Sequence, residues 1–225
     1  MIEMNSNQMS VRRISKKDSS IARKRAIKII NDAQKLLKEK YIFAWRMVGS
    51  GAWGTMIEDQ NGEYDLDYQL LLTRKSKAYK DNKLSDPTAI KNDFISAFNR
   101  VLKGKEKIEN STTAITLINE DGKPYHIDFV IIRLFPENNE IIRRNNRKET
   151  PSYNEFTWNQ LPGWNEAYDL FRQLPIEEKR YLVDKVIIPK KALEKAKSET
   201  DPSKLSSSAL FVREVNNYIC QSRKR

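Results

Sequence analysis

Two aspartates one residue apart, Asp65-Leu66-Asp67, open a run that is mostly apolar or aromatic as far as Leu72. Strand side chains alternate between faces, so a strand here holds both carboxylates on one face and turns Leu66 and Tyr68 to the other. Each charge raises the pKa of its neighbour, and the pair is unfavourable without a cation. Hard divalent ions with oxygen ligands, Mg2+ first among them, are the usual remedy. Just upstream lies the small-residue turn Gly49-Ser50-Gly51. Glycines let the backbone approach a phosphate closely, and amides at the start of a following helix, expected at Ala52 to Thr55, attract negative charge. The fold must therefore bring a tight turn and a carboxylate-bearing strand to one place.

The 225 residues suffice for one core, with or without a helical appendage. No apolar run approaches the roughly 20 residues of a membrane span, and the first ten residues lack the pattern of a secretory signal. The expectation is no membrane contact and a cytoplasmic location. One cysteine, Cys220, and one histidine, His126, leave no set for an intramolecular disulfide or a Cys/His zinc site, so any metal must be held by carboxylates. The formal net charge of +11 favours polyanionic partners, nucleotides or nucleic acid through basic patches such as Arg12-Arg13, Lys16-Lys17, Arg23-Lys24-Arg25, Arg143-Arg144, Arg147-Lys148 and Arg223-Lys224-Arg225.

In chain order, residues 1–20 read as a flexible basic arm, with Ser19-Ser20 as the cap of the first helix. Apolar residues at helical spacing predict that helix over 21–40. Residues 41–48 read as a strand leading to the glycine turn, and a second strand spans 64–72. A polar loop covers 74–85. Asp86-Pro87 then caps a helix over 88–102 that Gly104 ends. Residues 112–118 and 125–134 form a hairpin around Asn119 to Gly122, and its second arm carries Asp128 among apolar neighbours. A charge in such a run needs a partner, and a metal held by Asp65 and Asp67 is one. Beyond 151 the chain is helical in character, with Pro189 breaking or kinking a helix and a charged stretch over 190–197. The fold class is α+β: a mixed sheet of about four or five strands with helices on one side, over 21–150, then a helical C-terminal part over 151–225.

A Gly-Ser turn opening a helix, an Asp-x-Asp pair on the next strand and a third Asp on a later strand resemble the nucleotidyltransferase superfamily of DNA polymerase beta. Here these are Gly49-Ser50, Asp65-Leu66-Asp67 and Asp128. The fuller wording G-S-G-A-W-G-T, Y-D-L-D-Y-Q and Y-H-I-D-F-V is most similar to the cGAS/DncV-like enzymes, the CD-NTases. The likeness covers about 43–135, and Phe156 to Pro162 loosely resembles the start of that family's helical half. It implies a polymerase beta-like core that transfers NMP from ATP, GTP or another NTP to a hydroxyl and releases pyrophosphate. Two Mg2+ or Mn2+ ions would be bridged by Asp65 and Asp67, with Asp128 on the activating one. Ser50, the Gly49 to Gly51 backbone and Thr55 would hold the phosphates. The implied product is a cyclic or linear oligonucleotide messenger of antiphage-type signalling. Relatives of the cyclase type generally carry a larger helical lobe, which leaves other acceptors open: a tRNA, a protein or an antibiotic. A relative that binds nucleotide or nucleic acid without turnover also remains.

Other residues near these motifs carry two readings each. His126 lies two residues from Asp128 and is read as structural or orienting. Gln69 shares the carboxylate face. Trp53 and Tyr68 could stack on a base, but packing is the simpler role.

Overall fold

The computed structural model describes residues 12–59, 61–80, 83–103, 106–119, 122, 124–135, 138–146, 148–149, 153–161, 166–198 and 200–222. The first part of the expected arm, Gly104, most of the turn before Gly122, Arg147, Pro162 and the terminal Arg223-Lys224-Arg225 lie outside these residues.

Helix α1 (Lys16–Leu37) starts within the stretch expected to be a flexible arm. Its cap is Ser15, whose hydroxyl accepts from the Asp18 amide at 3.0 Å, rather than Ser19 or Ser20. A polar first turn has no apolar periodicity, so the stripe Ala22, Ala26, Ile29, Ile30 and Ala33 marks only the part of the helix that is buried. Strand β1 (Phe43–Val48) runs into the short helix α2 (Gly49–Trp53), and β2 (Tyr64–Leu72) follows. The expected polar loop holds one short turn of helix, α3 (Lys77–Lys80), and a 3-10 turn. Helix α4 (Pro87–Leu102) has Asp86 as its cap, with the carboxylate accepting from the Ala89 amide at 2.9 Å. Lys103, at φ 53°, takes the left-handed terminal position expected of Gly104.

Strands β3 (Lys107–Asn110), β4 (Ala114–Asn119) and β5 (Tyr125–Arg133) complete a sheet in the order β1-β2-β5-β4-β3. Strands β6 (Glu140–Arg144) and β7 (Phe156–Gln160) extend it to seven among the described residues, β6 pairing with the end of β5. The segment beginning at Phe156 is thus a strand, not the opening of the helical half. The sequence indicated four or five strands because β3, β6 and β7 are short and rich in charged or polar residues, without the alternation of a half-buried strand.

The parallel pairing of β2 with β5 sets the function of the sheet. Its register places Asp67 opposite Asp128 and Asp65 opposite His126. Leu66, Tyr68, Leu70, Ile127, Phe129 and Ile131 face the other way and form the core with α1 and α4. The helical part, α5 (Glu166–Gln173), α6 (Ile176–Tyr181), α7 (Ile188–Ala196) and α8 (Ser207–Ser222), has a second apolar cluster around Phe171, Leu182, Ile187, Phe211 and Val215. Pro189 does not break the chain's helical path. A π-helical turn over Leu182–Ile187 joins α6 to α7 and spares the backbone donor that proline lacks.

Lys91, on α4, is 1% exposed. Its Nζ donates to the Ser111 carbonyl at 2.8 Å and lies 4.1 Å from the Phe156 ring centroid, with Arg144 on the same ring. Burial first, then Arg144, lowers its pKa to about 7. The folded state therefore releases this proton before the unfolded chain does, and stability rises with pH from about 7 towards the ordinary lysine value. Lys91→Met is expected to stabilise the protein by about 1–3 kcal/mol at pH 6, a gain that shrinks by pH 9.5. Urea denaturation at the two pH values checks this.

Candidate active site

The face of β2 and β5 that points away from the core carries Asp65, Asp67, Gln69, Asp128 and Val130 into a pocket of about 450 Å3. Gly49, Ser50, Trp53 and Thr55 line one side of it, and Tyr168, Lys191, Lys195, Ser207, Ser208 and Phe211 come from the helical part. Sequence-distant carboxylates and the glycine turn thus meet in one cavity.

Gly49 is fixed by two independent constraints. Its φ is +59°, in the left-handed region, and a Cβ placed on it would lie 2.2 Å from Asp67 Oδ2. The turn is therefore built against the carboxylate. Ser50 lines the pocket at the first turn of α2, which begins at Gly49 rather than after it. This corrects two expectations. The amides of Ala52 to Thr55 do not open a helix: the Thr55 amide donates to the Ser50 carbonyl at 3.0 Å. Thr55 contributes as a buried wall residue, so a phosphate cannot use its amide. Gly51 does not line the pocket, and a Cβ there would meet Met47 Sδ at 3.0 Å and Leu66 Cδ2 at 3.2 Å. Its smallness serves the packing of α2 on β2.

The carboxylates are electrostatically coupled. Burial, then Asp128 and Asp65, pushes Asp67 up to about 6, opposed by Lys191. Burial also raises Asp128, while the Thr116 hydroxyl, donating to Asp128 Oδ1 at 2.6 Å, opposes the rise. Asp65 is 55% exposed, with Oδ1 3.6 Å from His126 Nδ1. Among the described residues no three His, Cys, Asp or Glu side chains converge as they stand on a point that could hold a metal ion. Asp65 lies towards His126. The donors nevertheless fit a hard divalent cation: three carboxylates on one face, two of them partly buried and held at raised pKa by burial and by one another.

The charged stretch over 190–197 turns out to supply a wall of the site, which its composition alone does not indicate. Lys191 is 6% exposed and donates from Nζ to the Thr55 carbonyl at 3.1 Å, joining α7 to the end of the glycine turn. Burial, then Lys195, brings its pKa down to about 8, while Asp65 and Asp67 hold it up. The sequence offered one signal, lysines four apart at 191 and 195, which share a helical face. Trp53 stacks with Tyr168 at 5.0 Å and with Phe211 at 5.4 Å between centroids, so its packing role is real and it also forms the aromatic side of the pocket. Tyr68 is buried in the core and cannot stack on a ligand. Gln69 Oε1 accepts from Arg46 Nε at 2.7 Å. A separate groove of about 410 Å3, lined by Arg13, Lys16, Arg23 and Lys24, runs along α1 to Gly54.

No family model and no curated protein matches the chain. Solved structures do. The STING-associated CdnE c-di-GMP synthase from Capnocytophaga granulosa superposes with a TM-score of 0.59 at 18% identity, covering 93% of this chain and 62% of that one. The Vibrio cholerae DncV cyclic AMP-GMP synthase in complex with nonhydrolyzable GTP gives 0.57 at 14% identity, covering 90% and 67%. The Bradyrhizobium diazoefficiens CD-NTase CdnG in complex with GTP gives 0.52 at 16% identity, covering 79% and 49%. The chain thus spans about half to two thirds of the length of these structures. The chain has the polymerase beta-like nucleotidyltransferase fold, in the arrangement that these CD-NTases of the cGAS/DncV-like kind share.

Proposed function

We propose that the chain is a metal-dependent nucleotidyltransferase that moves NMP from an NTP to a hydroxyl and releases pyrophosphate. The observation that carries this reading is the β2–β5 register, which sets Asp67 beside Asp128 at the floor of a pocket walled by Gly49-Ser50 and by Lys191 and Lys195. Asp65, Asp67 and Asp128 would hold two Mg2+ or Mn2+ ions, which when bound neutralise the triphosphate and acidify the attacking hydroxyl. The Ser50 hydroxyl and the Gly49-Ser50 backbone bind the β- and γ-phosphates. Lys191 and Lys195 add positive charge on the opposite wall, and the Trp53, Tyr168 and Phe211 side receives the base. The Thr116 bond to Asp128 Oδ1 leaves Oδ2 to take the proton of the acceptor hydroxyl. The groove along α1 supports contact with a polyanion such as nucleic acid.

The product we propose is a cyclic or linear oligonucleotide of antiphage-type signalling, made in the cytoplasm. The likeness to a cyclic AMP-GMP synthase and a c-di-GMP synthase supports it. The test is incubation of the purified protein with each labelled NTP, singly and in pairs, with Mg2+ or Mn2+, followed by phosphatase. A labelled product whose migration phosphatase leaves unchanged is expected of a ring, and one that phosphatase strips of its 5′-triphosphate is expected of a linear oligomer. Label that moves only when tRNA, a protein or an aminoglycoside-like acceptor is added would overturn the product while keeping the transfer chemistry.

A further inference from the structure

A second cavity, of about 410 Å3, lies directly behind the lysine wall. Lys191, Lys195 and Ser207 line both it and the carboxylate pocket, and Lys204, Ser206, Asp59, Asn61 and Glu194 complete the polar part of its surface. We propose that this cavity is the port through which pyrophosphate leaves, a role that rests on the nucleotidyl-transfer reading above.

The charge distribution gives the direction. Carboxylates form the floor of the catalytic pocket, an aromatic wall closes one side, and Lys191 and Lys195 form the partition to the second cavity. In the transfer step the acceptor oxygen forms a bond to the α-phosphorus and its proton goes to Asp128. The bond from the α-phosphorus to the bridging oxygen breaks, and that oxygen keeps the electron pair on the departing pyrophosphate. The leaving group then carries several negative charges and is repelled from Asp65, Asp67 and Asp128. Lys191 and Lys195 face it on the other side, and past them Lys204, whose Nζ donates to the Lys197 carbonyl at 3.1 Å, continues the line of positive charge. The two carboxylates of the second cavity are engaged elsewhere. Asp59 Oδ1 accepts from the Asn61 and Glu63 amides at 2.8 and 2.9 Å. Glu194 Oε2 accepts from the Leu205 amide at 2.8 Å, and its Oε1 from Lys197 Nζ at 2.9 Å. The hydroxyls of Ser206 and Ser207 add donors beside Lys204 without adding charge.

The test uses Lys204→Glu in the full chain, since Lys204 lines the second cavity and not the catalytic pocket. Pyrophosphate product inhibition is expected to weaken about tenfold while the KM for NTP stays within about twofold, and Lys204→Met gives a smaller shift in the same direction. Lys75→Glu, in the exposed turn after β2 and lining neither cavity nor the α1 groove, controls for net charge and is expected to leave inhibition unchanged. An inhibition constant that does not move in Lys204→Glu, or that moves in proportion to KM, overturns the proposal. Calorimetric titration of pyrophosphate without NTP separates the two readings. Tenfold weaker binding in Lys204→Glu by a protein that turns over no NTP upholds the anion site and sinks the transfer reading. Equal binding by wild type and variant sinks the port whatever the turnover.

Discussion

Asp67→Asn is expected to abolish nucleotidyl transfer and, in the same protein, to raise the melting temperature. The opposite signs distinguish a functional carboxylate from a structural one. Asp67 sits partly buried between Asp65 and Asp128 and is held at a pKa of about 6, so its charge costs the fold at neutral pH. Its folded pKa is raised above the ordinary 3.8, so the folded state keeps a proton that the unfolded chain has lost. Wild-type stability falls as pH rises from about 4 to about 6 and stays lower above that. The asparagine does not titrate and removes this fall, a gain of about 1–3 kcal/mol at pH 7 and of several degrees in melting temperature. Activity should drop by about 10³-fold or more, because the variant removes a ligand of the cations that would neutralise the triphosphate. Thermal melts at pH 4.5 and 7.5 with an initial-rate assay check both halves. A variant that is less stable and fully active contradicts the assignment.

Gly49→Ala is expected to be the most damaging substitution that introduces only one carbon. A non-glycine residue at φ +59° costs about 1–2 kcal/mol. The new Cβ would lie 2.2 Å from Asp67 Oδ2, so either the turn or the carboxylate must move. Displacement of reacting groups by about 1 Å costs on the order of 10²-fold in rate. Transfer should fall by that factor or more, with a modest loss in denaturation midpoint. Gly51→Ala provides the contrast. Its Cβ meets Met47 and Leu66 side chains at 3.0 Å and beyond, so stability should suffer more than the chemical step.

Local features of the chain are legible in its sequence, and features that depend on tertiary distances are not. The carboxylates are legible because alternation in a strand is local: Asp65 and Asp67 share a face whatever the rest of the chain does. That Asp128 joins them needs the apolar run around it and a likeness to known motifs, since the parallel register of β2 and β5 is a long-range property. The glycine turn is plain in the sequence, but the task of each glycine is not. Gly49 approaches Asp67 and Gly51 packs under the helix, a difference set by tertiary distances. Strands β6 and β7 are hidden because their pairing is to an existing sheet end and because they are short and mostly polar. The lysine wall is hidden for a related reason: Lys191 reads as one of several exposed charges until a π-helical turn and Pro189 bring it against Thr55.

When an NTP binds between Gly49-Ser50 and Lys191, Asp65, Asp67 and Asp128 are expected to gather divalent cations beside it. Titration of Mn2+ followed by electron paramagnetic resonance, in the presence of a nonhydrolysable NTP, measures this directly. Two bound ions per chain are expected for the wild type, with loss of bound ion in Asp67→Asn and in Asp128→Asn. Wild-type protein that binds the nucleotide but no Mn2+, or the same two ions in both variants, would contradict it.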